Sequence, residues 1–223
     1  MKNSNFPTKP MNKSQTQPPT DTWITATWQE YIQIIEDPIY EKAKSYYHNG
    51  KFRIEMSPVG NTHASDHAFV IGVVALFAAT KNIMLNGLDN GAYEKTEYLA
   101  AQPDASYYIG ENADVIPWET FIIDLGIYPP PTLVIEVADA SLADDKGEKR
   151  LLYEAMNVSE YWIVDVQNVE IIAFAIAKVG SQRINQSQVL PGLAISLLEE
   201  ALQRTRQTNQ GQVYPWLFQE FQT

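Results

Sequence analysis

The sequence contains no cysteine, which excludes disulfides and thiolate-ligated zinc and fits a reducing compartment such as the cytoplasm. Positive charge is scarce too: 16 Lys and Arg stand against 27 Asp and Glu, a formal net charge of −11. The first 22 residues carry Lys2, Lys9 and Lys13 against Asp21, net +2, which leaves −13 on the remainder. A body that acidic repels polyanions at long range, so a broad basic nucleic-acid patch is excluded. Chemistry on a phosphodiester would have to rely on a local site and on cations. Long apolar runs are also missing. The longest, Ala68–Ala79, falls short of the roughly 20 residues that cross a bilayer. The N-terminus has no apolar h-region and no cleavage-like site, so it does not read as a secretory signal. These absences predict a soluble, cytoplasmic protein with no membrane partner.

The opening MKNSNFPTKPMNKSQTQPPTDT has almost no large apolar residues to offset its ordering entropy, which predicts a flexible tail over residues 1–22. The remainder, 23–223, is long enough for one domain with a sizeable core, ending in a C-terminal helix and tail from about 194. Its first helical pattern runs from Trp23 to Glu36, with Thr27 as a cap and Pro38 as a stop. Asn49-Gly50 predicts a tight hairpin turn within 45–56. A long helix is expected over 65–85, capped by Ser65 or Asp66 and closed by Asn86-Gly87, with Gly72 as a close packing point. Strands are expected at Ala92–Ala100, Ala105–Ile109, Thr132–Val137, Glu160–Asp165, Val169–Ile176 and about Arg183–Gln186. Helices are expected over 143–156 and 196–207. Strand, helix and strand between 132 and 165 suggest a parallel crossover. The architecture is therefore α/β or α+β, a mixed sheet flanked by helices.

Three features carry chemistry. Glu136 interrupts the apolar stretch Thr132-Leu-Val-Ile-Glu-Val-Ala-Asp139, where an unpartnered carboxylate taken out of water costs several kcal/mol. It is either an edge residue reaching solvent or a functional group. Asp104 follows Gln102-Pro103 at the entry to the earlier strand Ala105–Ile109 and is either a turn carboxylate or Glu136's partner. Asp145, Lys149 and Tyr153 recur every four residues and share one helix stripe, as an exposed ion pair or as part of a site. Two carboxylates on adjacent strands can hold Mg²⁺, which prefers oxygen ligands and keeps waters for a substrate phosphate. A neighbouring Lys then stabilises developing charge.

The order of Glu55-Met-Ser-Pro58, a His near the start of the long helix, Gln102-Pro103-Asp104, Val134-Ile135-Glu136-Val137, Gly147-Glu-Lys149 to Tyr153, Glu160-Tyr-Trp-Ile-Val-Asp165 and Leu190-Pro-Gly-Leu193 resembles the Uma-two family of restriction-endonuclease-like proteins, within the PD-(D/E)xK nuclease superfamily. The resemblance runs from about Trp28 to Leu197. It implies a restriction-endonuclease-like fold and a Mg²⁺- or Mn²⁺-dependent endonuclease acting on DNA. Asp104 and Glu136 match the metal carboxylates, with Glu55 as a further acidic ligand. The motif lysine is replaced by Ala138, and Lys149 on the following helix takes its place, with Asp145 and Tyr153 completing the stripe. Lys146 is a weaker candidate for that lysine because it lies off the stripe. His67 is the family-like His, while His48 and His63, both beside turn residues, read as surface. The missing lysine at 138 and the acidic body also allow a second reading, a non-cutting scaffold that binds DNA or protein. A homodimer is a further expectation, because Trp162 and the segment Tyr214-Pro-Trp-Leu-Phe218 offer apolar surface, unless that segment folds back on its own domain.

Overall fold

The computed structural model describes residues 18–56 and 59–222. Most of the expected tail, and Ser57-Pro58 of the Ser-Pro motif, lie outside the described residues. Residues 18–22 run onto the domain, where the Asp21 amide donates to the Ile54 carbonyl at 2.8 Å.

Among the described residues there are twelve strands and six α-helices. In chain order they are β1 (Ile24–Thr25), α1 (Trp28–Ile35), β2 (Lys44–His48), β3 (Lys51–Glu55), α2 (Asn61–Thr80), β4 (Leu85–Asp89), β5 (Tyr93–Lys95), β6 (Leu99–Ala101), β7 (Ala105–Ile109), β8 (Ile123–Asp124), β9 (Leu133–Ala138), α3 (Leu142–Lys146), α4 (Glu148–Met156), β10 (Glu160–Asp165), β11 (Glu170–Ala177), β12 (Gly180–Ile184), α5 (Ile195–Thr205) and α6 (Gln210–Gln222). They form two mixed six-stranded sheets rather than one. The first has the order β1-β3-β2-β6-β5-β8 and the second β12-β11-β10-β9-β7-β4. The crossover is as the sequence predicts, with β9 and β10 parallel through α3 and α4 and Glu136 opposite Ile163.

Alternation along β9 decides the layering. Leu133, Ile135 and Val137 enter the core formed with α2, α5 and α6. Val134 and Ala138 face the other way, into a core shared with α4 and with Tyr46, Tyr93 and Leu99 of the first sheet. The outer face of that sheet is closed by Trp28 and Tyr31 of α1. Glu136, in phase with Val134 and Ala138, thus points between the two sheets.

Local signals explain most boundaries. Thr27 and Glu30 form a reciprocal capping box, so α1 begins at Trp28, and Ile24–Thr25 pairs with β3 as a strand instead of extending the helix. Asn49 and Gly50 have φ of 51° and 70°, the left-handed pair that a two-residue hairpin turn requires. The long helix starts four residues before the expected cap, with Gly60 at its N-cap. Asp66 is no cap: it is buried and held by both guanidinium nitrogens of Arg206, at 2.7 and 2.5 Å. The helix ends at Thr80, and Asn86-Gly87 lies inside β4, because the chain turns earlier, at Asn82 with φ 54°. The expected strand Ala92–Ala100 is divided by a turn at Glu97 (φ 61°) into the antiparallel pair β5 and β6. By length and hydropathy alone α2 would also qualify as a membrane span. Its apolar residues Phe69, Val70, Val73, Val74 and Phe77 are buried in the core beneath the second sheet.

Helix α6 was not expected, and Pro215 inside it removes a helical donor. Burial of Val213, Leu217 and Phe221, spaced four apart, outweighs that loss. The segment therefore folds back on its own domain. Trp216 lies under the Arg204 guanidinium at 3.9 Å, and Trp162 is fully buried, its indole donating to Glu160. Trp162 thus offers no surface, whereas Trp216 is half-buried and Phe218 of the same segment is exposed.

Gly72 is where α6 meets α2: a Cβ there would lie 2.2 Å from the Tyr214 hydroxyl. In an ordinary helix Gly→Ala stabilises by up to about 1 kcal/mol. Here Gly72→Ala is expected to destabilise by about 1–3 kcal/mol in urea unfolding, through overpacking. In a Tyr214→Ala background the same change should become neutral or stabilising. Additive costs in the double variant would disprove this packing account.

Candidate active site

Five parts of the chain converge on the gap between the sheets. Strands β2 and β3 bring Lys44, Tyr46, Arg53 and Glu55. The first turns of α2 bring His63 and His67. Asp104 arrives at the start of β7 and Glu136 from β9, and α3 and α4 bring Asp144, Asp145, Lys149 and Tyr153. The cleft at their rim is about 290 Å³, and Lys44, Glu55, His63, Asp104, Val137 and Lys149 are among the described residues that line it. Glu136 lies beneath this lining, 2% exposed.

The Lys149 ammonium is the hub. It lies 3.0 Å from Glu55 Oε1, 3.1 Å from Asp145 Oδ1 and 3.4 Å from Glu136 Oε2, and 4.4 Å from the centroid of the Tyr46 ring. The helix expected over 143–156 breaks at Gly147 (φ −103°, ψ −105°) into α3 and α4, yet the stripe survives: Asp145, Lys149 and Tyr153 are all buried. Lys146 is exposed. The Tyr153 hydroxyl donates to Glu136 Oε1 at 2.5 Å, so both Glu136 oxygens have partners. Ala138 is fully buried on the Glu136 face of β9. The ammonium beside Glu136 is carried by α4.

Asp104 is oriented by backbone as well as by charge. Its Oδ2 accepts the Val137 amide at 2.7 Å, one residue beyond Glu136, and lies 3.4 Å from His63 Nε2. Its Oδ1 is ion-paired with Lys44. His63 is therefore a cleft residue rather than the surface group expected of it, because α2 begins early enough to include it in its first turn. His67 is placed differently: its Nε2 lies 2.9 Å from the Asp104 carbonyl oxygen and 3.4 Å from Asp89, so it supports the Asp104 backbone rather than the carboxylate. His48 is half-buried outside the cleft, against Tyr98.

Burial and neighbours pull these carboxyls apart. Burial would raise Asp104, but the His63 contact and the Lys44 charge hold it well below the usual carboxylate range. Glu55 is likewise kept low, burial being offset by Lys149 and Arg53. Glu136 is pushed up to about 8, chiefly by burial, with Asp104 and Asp145 adding to it against the opposing Lys149 charge. Asp145 is raised by burial too. Burial disfavours the Lys149 ammonium, yet Glu136, Asp145 and Glu55 hold it well above the ordinary lysine value. A group of carboxyls at very different positions on the pH scale, around one locked ammonium, is what acid–base and electrostatic catalysis use.

Lys44, Arg53 and His63 had no signal in the sequence strong enough to mark them. The cross-strand pairing of Lys44 with Glu55 follows from the Asn49-Gly50 turn, so a hairpin register read from that turn could have found Lys44.

No functionally curated protein matches the sequence. The fold is similar to the crystal structure of a putative nuclease belonging to DUF820 from Anabaena variabilis, with a TM-score of 0.55 and 17% identity, covering 79% of this chain and 98% of that one. At that identity the likeness speaks for the fold alone. The sequence matches the Uma2 family, described as "Putative restriction endonuclease", over residues 28–209, a span that contains every cleft residue from Lys44 to Tyr153. The buried Glu136, the Asp104 that anchors beside it and the Lys149 delivered by the next helix are thus features of a chain that belongs to the Uma2 family.

Proposed function

We propose that this protein is a divalent-cation-dependent endonuclease that hydrolyses DNA phosphodiester bonds. The observation that carries this reading is the burial of Lys149 against Glu136, Asp145 and Glu55, at a cleft whose wall includes Asp104. Membership of the Uma2 family supports it.

The donor set fits Mg²⁺ or Mn²⁺. Among the described residues no three His, Asp or Glu stand grouped for a metal ion. Mg²⁺, however, is commonly held by one or two carboxylates plus waters and substrate phosphate. Asp104 and Glu136 would hold it, with Glu55 as a further oxygen donor. Desolvation and the neighbouring carboxylates favour a proton on Glu136, and the same field favours a cation there. When bound, the cation would polarise the scissile phosphodiester and make a coordinated water acidic enough to attack. The protein's own groups supply the rest. The Val137 amide fixes Asp104, and Tyr153 fixes Glu136. Lys149 keeps its positive charge and stands in for the lysine absent at 138, stabilising charge that develops on the phosphate. His63 shields the inner oxygen of Asp104.

A second reading, a non-cutting scaffold with this fold, is favoured by one observation: the site's carboxylates already hold Lys44, Lys149 and Arg53 as internal partners. Plasmid nicking with Mg²⁺ or Mn²⁺ separates the two. Asp104→Ala, Glu136→Ala and Lys149→Met should each lower the rate by roughly 10²–10³-fold, and chelator should abolish it. Metal binding without nicking of any DNA would favour the scaffold, and full activity in Glu136→Ala would refute the assignment.

Protonation of Glu136 gives an independent check in chelator. Its folded value lies above the ordinary glutamate value of 4.5, so its contribution to stability is complete below about pH 4.5 and is lost as pH rises through about 8. Glu136→Gln should therefore show a shallower fall in stability between pH 5 and 8 than the parent chain, measured by thermal unfolding. Parallel profiles would remove the buried-proton account.

A further inference from the structure

The two lysines of the cleft are held in different ways. Lys149 is enclosed, its side chain 2% exposed, and its departure would take a cation from three carboxyls at once. Lys44 opens β2 at the cleft rim, its side chain 18% exposed, and its ion pair is with Asp104 Oδ1. Oδ2 of the same carboxylate is committed inward to the Val137 amide. Oδ1 is therefore the Asp104 oxygen available to a cation from the cleft, and an ammonium occupies it.

The partners explain why an ammonium is there. Arg53 and Lys149 are engaged by Glu55, Asp144, Glu136 and Asp145, and the buried Asp104 carboxylate has Lys44 as its ammonium. A buried carboxylate with no partner costs several kcal/mol, so Asp104 needs a counter-charge whenever no metal is present. A lysine suits this better than an arginine, because its charge is a single point on a flexible stem and it makes no bidentate grip.

We infer that Lys44 is a removable counter-ion: it occupies Asp104 Oδ1 in the metal-free protein and is displaced when a divalent cation takes that oxygen, so that it sets the metal affinity of the site. The inference rests on the divalent-cation reading above and adds a competitor to it. Lys44 keeps the metal-free site folded and charge-compensated, at the cost of weaker metal binding.

Calorimetric titration of Mn²⁺ into the full chain tests it, using the parent, Lys44→Met, Lys44→Arg and Asp104→Asn. Lys44→Met should bind Mn²⁺ about tenfold tighter, a difference well within what such titrations resolve. Lys44→Arg should stay near the parent, and Asp104→Asn should bind none. Unchanged or weaker binding by Lys44→Met, with Asp104→Asn still abolishing it, overturns the counter-ion role and leaves the divalent-cation reading standing. No Mn²⁺ binding by the parent, or binding indifferent to Asp104→Asn, overturns both. Should Lys44→Met fail to fold, amine acetylation of the parent, read by mass spectrometry, answers the same question. Saturating Mg²⁺ should raise acetylation of Lys44 several-fold and leave Lys149 protected. Equal Lys44 labelling with and without Mg²⁺ overturns the inference.

Discussion

The Lys149 ammonium, sealed among Glu136, Glu55 and Asp145, ties together parts of the chain that share no other chemistry. Strand β9 places Glu136, the first sheet places Glu55, and the break at Gly147 lets α3 and α4 present Asp145 and Lys149 to the same point. A charge buried so deeply is stable only with its partners in place, so the positions of the two sheets and of α4 constrain one another. Tyr46, beneath the ammonium, and Tyr153, against Glu136, fill the remaining space with aromatic surface and one donated hydrogen bond. Electrostatics and packing here are the same structure seen in two ways.

Around that centre the carboxyls fall into two groups. Asp104 and Glu55 sit near cations at the cleft and are held ionised. Glu136 and Asp145 lie deeper, where burial dominates and protons are favoured. The gradient runs from the cleft inward. The proposed divalent cation would enter from the ionised side of that gradient.

Several features were legible before any coordinates. Glu136 stood out because a carboxylate amid Leu, Val and Ile has no cheap explanation. Asp145, Lys149 and Tyr153 declared themselves by their spacing, Asn49-Gly50 by the turn it demands, and Gly72 by its cost in a helix. His63 reads as surface and Lys44 and Arg53 carry no local signal, because each looks ordinary in its own neighbourhood. The same limit applied to Asp66, read as a cap though its partner Arg206 lies 140 residues away, and to α6, where a local rule about proline was outweighed by burial of Val213, Leu217 and Phe221.

The sequence by itself determined which residues could carry chemistry, the alternation that turns Glu136 away from the helix-packed face of β9, and the parallel crossover that returns α4 over it. Those follow from period, propensity and turn chemistry, all short-range. Only the tertiary structure decided that there are two sheets, that Glu136 faces into the space between them, and that Lys44 and His63 reach Asp104. Such contacts join residues about 40 to 60 positions apart, and no local pattern encodes them. They exist because burying the shared core between the sheets brings separate strands to one cleft.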